Sequence, residues 1–220
     1  MLGRTYKNDF EYDELCDSEK INLLLNISLF GKEYRRDLSD DAKISLAIDR
    51  AYLDFCRTIR KDNNPSIEVL KETRNAATTK IKEAIENILS KKSFPQWHEG
   101  LCNKLISQGY TFGQAQKWVN MTMKYLIVLD YRPVVSIQND LHAPIDIDVI
   151  NRIFNDKDQN DPIQWKENDL VPWSSSKLDK TKEYDKYSDL QEWIRKHCKE
   201  GESPIEWEFK AWNDPAVKGK

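Results

Sequence analysis

Apolar residues return every three or four positions through Ile44, Ala47, Ile48, Ala51, Tyr52 and Phe55, the spacing of one face of an α-helix. The spacing recurs through Ile67, Leu70, Ala77, Ile81, Ile85, Ile88 and Leu89. It recurs again through Trp118, Thr122, Tyr125 and Leu129. No segment carries the convincing apolar–polar alternation of a half-buried strand. The chain therefore has to bury helix stripes against helix stripes. The expectation is an all-α fold: one compact multi-helix domain over residues 1–220, with room for two helical lobes and a cleft between them.

Local signals divide the chain. Residues 21–30 form a short apolar run fit for a buried helix. Ser39 before Asp40 and Asp41 is a helix start, and that helix is expected to end near Arg60. Asn64-Pro65 opens the next, which runs to about Ser90. Phe94-Pro95 is expected to break the chain before a helix over 97–107. The stretch 108–113 is a tight connector to a helix that is apolar almost all round and so central. Residues 133–142 are irregular, and Pro144 leads into a helix over 146–154. Residues 155–185 are polar and rich in Pro and Ser, a surface loop. C-terminal helices close the chain over 186–213, one of them starting at Ser203-Pro204, with Gly201 placed as a C-cap between them. The tryptophan pair Trp207 and Trp212 is expected in the core.

Composition removes several functions. A net charge of −3 argues against a non-specific basic coat for nucleic acid, although a local basic face remains compatible. The basic runs 32–36, 57–61 and 177–182 are interleaved with acids and read as solvated faces. No run approaches the ~18 apolar residues of a membrane span. Residues 1–17 lack the apolar centre of a signal peptide. The cysteines (Cys16, Cys56, Cys102, Cys198) are far apart, and the histidines (His98, His142, His197) complete no metal spacing. Reduced thiols, a cytoplasmic setting, no metal and no cofactor are expected. No Gly-rich phosphate loop and no nucleophile elbow is present.

The chemistry is concentrated in Gly113 to Tyr125 and Ala143 to Val149. Lys117 lies near the start of the central helix, and Asp146 starts another helix 29 positions later. A lysine amine is a nucleophile only when neutral, and burial near a helix N-terminus disfavours the cation. It can then attack a sugar carbon and hold it as a Schiff base. A helix-start aspartate is held ionised by backbone amides and can stabilise positive charge on a sugar ring or accept the lysine's proton. Lys124 and Asp148 are the alternates for the two roles. Lys124 is otherwise expected to snorkel or to pair with Asp130 or Asp148. Taken singly, Lys117 reads as a solvated helix-start lysine and Asp146 as a plain cap.

At these residues the chain resembles the helix-hairpin-helix DNA glycosylase superfamily, most closely its archaeal 8-oxoguanine DNA glycosylase branch. The resemblance covers 97–154: a hairpin at Gly109-Tyr110-Thr111-Phe112-Gly113, a second helix opened by Gln116-Lys117, and the aspartate motif Ala143-Pro144-Ile145-Asp146. The inter-glycine spacing is longer and more aromatic than the family's. No cysteine cluster for iron–sulfur is present. The resemblance implies base excision from double-stranded DNA with a flipped modified base, Lys117 as nucleophile and Asp146 as its partner. Gly109 and Gly113 would face phosphate. Phe112, Gln116, Trp118, Asn120 and His142 would contact DNA or the base, with Trp97, Trp118, Phe112 or Trp212 stacking on it. The alternative is a non-enzymatic helical protein that binds nucleic acid or protein. An abortive-infection ribonuclease ranks third, since its Arg–His spacing of four to six is absent: Arg195 and His197 are only two apart.

Overall fold

The computed structural model describes residues 38–61, 67–90, 93–156 and 180–213. Contacts divide the chain at Leu38/Ser39, and every described helix belongs to the second part, Ser39–Lys220. The expected helix over 21–30, the stretch 157–179 and the side chain of Trp212 lie outside the described residues. Among the described residues every regular element is a helix. They are α1 (Asp40–Lys61), α2 (Ile67–Glu86), α3 (Phe94–Ile106), α4 (Phe112–Val128), α5 (Arg132–Val135), α6 (Ile147–Asp156), α7 (Lys180–His197) and α8 (Pro204–Asn213), with 3-10 turns at Ile88–Ser90 and Gln138–Asp140. None is long and apolar enough to cross a membrane.

The Ser39 hydroxyl accepts from the Ala42 amide at 3.3 Å, and Asp40 and Asp41 fill the first turn of α1, where the helix dipole favours anions. Its stripe Ile44, Ala47, Ile48, Ala51 and Tyr52 is buried, as the spacing predicts. That stripe packs on α4, where the Trp118 indole N–H donates to the Ile48 carbonyl at 3.1 Å. Burying a large apolar side chain is worth roughly 1.5–3 kcal/mol, and its one polar atom has a partner. α2 adds Ala77, Ile81 and Ile85 to the same core, each fully buried.

The helix starts of α3 and α7 differ from the sequence expectation, and the stretch 133–142, expected to be irregular, holds most of α5 and the 3-10 turn Gln138–Asp140. α3 opens at Phe94, not Trp97: Ser93 is the extended N-cap and Pro95 sits in the first turn. Proline there gives up only an amide that no helix bond would use, so Pro95 starts the helix and does not break the chain before it. α7 opens at Lys180, well before 186. Its first turns are anchored by Tyr184, whose hydroxyl donates to the Pro95 carbonyl at 2.9 Å, and by the edge of Phe112 on Tyr184 and Tyr187. The loop expected over 155–185 thus loses both of its ends to helices. Between α3 and α4, Gly109 takes φ +98°, a left-handed turn that residues with a Cβ rarely adopt. Gly201 (φ +79°) lies four residues past the end of α7, in the turn closed by the Glu202 amide on the Lys199 carbonyl, and is not the C-cap expected there. Ser203 then caps α8: its hydroxyl accepts from the Glu206 amide at 3.3 Å while Glu206 accepts from the Ser203 amide at 2.8 Å.

α4 is the centre, packed by α1, α3, α5 and α7. Of its residues all but Lys117 and Ile127 are buried.

Candidate functional site

α4 does not open at Gln116-Lys117. Thr111 is its N-cap, accepting from the Gln114 amide at 3.2 Å, while the Gln114 side chain accepts from the Thr111 amide at 3.0 Å. This reciprocal pair fixes the helix start at Phe112. Gly113 is therefore a buried residue of the first helical turn, and Lys117 stands in the second.

Lys117 and Asp146 nevertheless meet. Nζ lies 3.0 Å from Asp146 Oδ2, with the two side chains 12% and 15% exposed. The other carboxylate oxygen, Oδ1, accepts from the Val149 amide at 3.1 Å, and the Asp146 carbonyl accepts from the Ile150 amide at 3.0 Å. Asp146 thus caps α6 and faces Lys117 with its free edge, so both the cap and the ion-pair reading of the sequence hold at once. Asp148 is half-buried in the first turn of α6.

The approach to Asp146 is a buried segment outside any helix, Leu141 to Ile145, which leaves Leu141 in an extended conformation. Side-chain amides hold it from two sides. From α4, Gln116 Nε2 donates to the Ile145 carbonyl at 3.2 Å, and Asn120 Nδ2 lies 3.3 Å from the Ala143 carbonyl. From α7, Gln191 takes both backbone groups of Ala143: Oε1 accepts from its amide at 2.9 Å and Nε2 donates to its carbonyl at 2.7 Å.

Beneath lies a polar knot that the sequence reading did not foresee. Tyr187 Oη accepts from Asn120 Nδ2 at 2.8 Å and sits 2.9 Å from His142 Nδ1 and 3.3 Å from His98 Nε2. One hydroxyl proton and two lone pairs satisfy these three neighbours when one imidazole donates and the other accepts. Burial pushes His98 down to about 3 and His142 well below the ordinary histidine value, with the nearby Arg195 charge acting in the same direction on both. Both rings are therefore neutral at pH 7. Burial also drives the Tyr187 phenol well above its usual range.

One heptad along α4, Lys124 makes a second ion pair. Its partner is neither Asp130 nor Asp148 but Glu208 of α8, at 2.6 Å, with side chains 11% and 2% exposed. The Lys124 ammonium also sits 4.0 Å from the centre of the Phe209 ring. Burial raises the Glu208 carboxyl, and Lys124 opposes that shift.

The other residues expected at DNA are placed as follows. Gly109 is exposed at its left-handed turn. Gln116, Asn120 and His142 are buried and bonded as above. Phe112 is buried against Tyr184 and Tyr187. Trp118 is fully buried, its ring centre 5.0 Å from Tyr52 and 5.6 Å from Tyr110. Trp97 is buried with its indole N–H on the Ala84 carbonyl at 3.1 Å. It forms one wall of an open groove of about 460 Å³ between α2 and α3, away from the lysine–aspartate pair. Among the described residues no group of three His, Cys, Asp or Glu is arranged to hold a metal ion.

The residues the sequence reading missed are His98, Tyr187, Gln191 and Glu208. Each left a signal: a polar side chain inside an apolar helix stripe, as Gln191 is between Leu190 and Ile194. No protein-family model, curated protein or solved structure matches this chain.

Proposed function

We propose that this chain is a DNA glycosylase-like enzyme that removes a damaged or modified base by base flipping, with Lys117 as amine nucleophile and Asp146 as partner carboxylate. One observation carries the reading. In the second turn of a central helix that is buried nearly everywhere, the lysine meets the aspartate, and both side chains keep an edge at the surface. A catalytic amine needs that place: water largely excluded, substrate admitted, and a carboxylate within reach.

The reaction divides between the two groups. The lysine gives up its proton to solvent at the exposed edge of the pair, and Asp146 stays a carboxylate 3.0 Å away. The neutral amine then attacks the sugar carbon bearing the base. The N–C bond forms as the glycosidic bond breaks and the base leaves with the bonding electrons. Asp146 offsets the positive charge that develops on the sugar ring. Ring opening of the aminal gives a Schiff base on Lys117. The reading takes α3, its connector and α4 as the helix-hairpin-helix element, the exposed turn at Gly109 as the phosphate contact, and duplex DNA with a flipped nucleotide as the partner. Free thiols at Cys102 and Cys198 suit a reducing cytoplasm.

A second reading has its own observation. Lys124–Glu208 repeats the same chemistry with its carboxylate enclosed, as expected if both pairs tie helices together in a non-enzymatic binding protein. The test is to incubate the protein with duplexes carrying oxidised, alkylated and hypermodified bases and reduce with borohydride. The proposal expects a covalent protein–DNA adduct that disappears in a folded Lys117→Ala variant. Neither adduct nor base release across the panel would overturn it in favour of the binding protein.

A further inference from the structure

We infer that Gln191, on α7, is a positioning residue that sets Asp146 against Lys117. Gln191 is 1% exposed, and its amide closes on the backbone amide and carbonyl of one residue, Ala143, at 2.9 and 2.7 Å. A side-chain amide paired with both groups of one residue imitates a strand pairing and fixes that residue's position and orientation.

The constraint carries forward along the chain. Pro144 locks its own φ and holds Ala143 extended, so little torsional freedom remains before Ile145. The Ile145 carbonyl is held in turn by Gln116, the residue beside Lys117 on α4. Gln116 Oε1 also accepts from Asn120 Nδ2 at 3.1 Å, and the same Nδ2 reaches the Ala143 carbonyl. The aspartate is thus referenced to the helical turn that carries the lysine, and α7 closes the clip from the opposite side. Asp146 has α6 as a further anchor through its cap bond to Val149. Gln191 is the partner of the Ala143 amide and shares the Ala143 carbonyl with Asn120.

The catalytic half of the inference rests on the lysine–aspartate reading. The positional half stands on the hydrogen bonds. Loss of the clip leaves two buried backbone groups less satisfied and lets the segment shift, and a misplacement of ~1 Å costs about a hundredfold in rate.

The test joins amide exchange with single-turnover trapping on Gln191→Ala. Exchange at Ala143 and at Val149, whose amide caps on Asp146, should quicken about tenfold. Leu129, the C-cap of α4, whose amide donates to the Tyr125 carbonyl, should keep its protection. The trapping rate should fall about a hundredfold with DNA affinity unchanged. Faster exchange at Ala143 alone with an unchanged trapping rate would overturn the inference. If the wild-type chain gives neither adduct nor base release, the enzymatic reading fails, and the response of Val149 alone decides the clip. Should Gln191→Ala not fold, Gln191→Glu serves: protonated, it can both accept from and donate to Ala143; ionised, it can only accept. Its rate relative to wild type should rise on acidification, and a flat ratio would overturn the clip.

Discussion

Lys117–Asp146 and Lys124–Glu208 are the same chemistry one heptad apart on α4, yet their surroundings give them different work. The Lys124 pair is held at 2.6 Å, with Glu208 2% exposed and Phe209 against the ammonium. The Lys117 pair is looser, at 3.0 Å; the two lysines are almost equally exposed, at 12% and 11%, and the carboxylates differ, Asp146 at 15% against Glu208 at 2%. A carboxylate as enclosed as Glu208 cannot exchange its lysine for a substrate, and truncating it leaves a stranded charge. A rim pair can exchange its partner for a substrate, and its charges can be altered with modest damage to the core. Burial, more than residue type, separates the candidate site from the tie.

The sharpest way to break this contrast is Asp146→Asn. Asparagine caps a helix as well as aspartate does, so α6 should survive. Base release should nevertheless fall by roughly 10²–10⁴-fold, the scale of a lost acid–base or charge-stabilising group. Single-turnover kinetics beside far-UV circular dichroism would show both.

Next comes the sealed pair. Glu208→Ala should lower stability by about 3–5 kcal/mol in a urea titration, because it leaves Lys124 buried without a counter-charge. Lys124→Met with Glu208→Leu should recover most of that loss. If Glu208→Ala costs no more stability than Asp146→Asn, the contrast in burial is wrong.

The histidine knot gives a smaller, pH-dependent effect. Its imidazoles have folded values depressed below the unfolded one, so the unfolded chain binds more protons on acidification. Their contribution is complete above the unfolded value of about 6.5 and is lost as pH falls toward about 3, the folded value of His98. Between pH 6.5 and 5.5 each should cost about 1 kcal/mol, read as a falling melting temperature. Glu208, raised by burial, acts in the opposite sense. His98→Gln therefore isolates one histidine's share of the slope. Smallest is Thr111→Ala, which removes the cap of α4 and should cost about 1 kcal/mol in the same melt. It should disturb Lys117, in the second turn, more than Lys124.

The lysine–aspartate pair was legible because both residues lie beside strong punctuation: Gly109 and Thr111 before one helix, Pro144 before the other. The apolar stripes of α1 and α2 were legible by their period, since a helix buries what recurs at its own spacing; Leu89 departs from the stripe, 59% exposed in the 3-10 turn after α2. The start of α4 could have been read as well, because Thr111 and Gln114 form the capping pair that places Lys117 a turn inside the helix. Pro95 was ambiguous in principle, as proline both ends and begins helices. The partner of Lys124 was beyond local reading. A lysine inside an apolar helix demands a counter-charge, but only the path of α8 brings Glu208 across 84 positions. The Gln191 clip is of that kind too, spanning 48 positions to a backbone that any residue could have offered.

The most direct test of the contrast is to map the borohydride-reduced adduct by peptide mass spectrometry, with Lys117 and Lys124 in separate peptides. The expected result is DNA-derived mass on Lys117 and none on Lys124. An adduct on Lys124 or elsewhere, or none with any modified duplex, would contradict it.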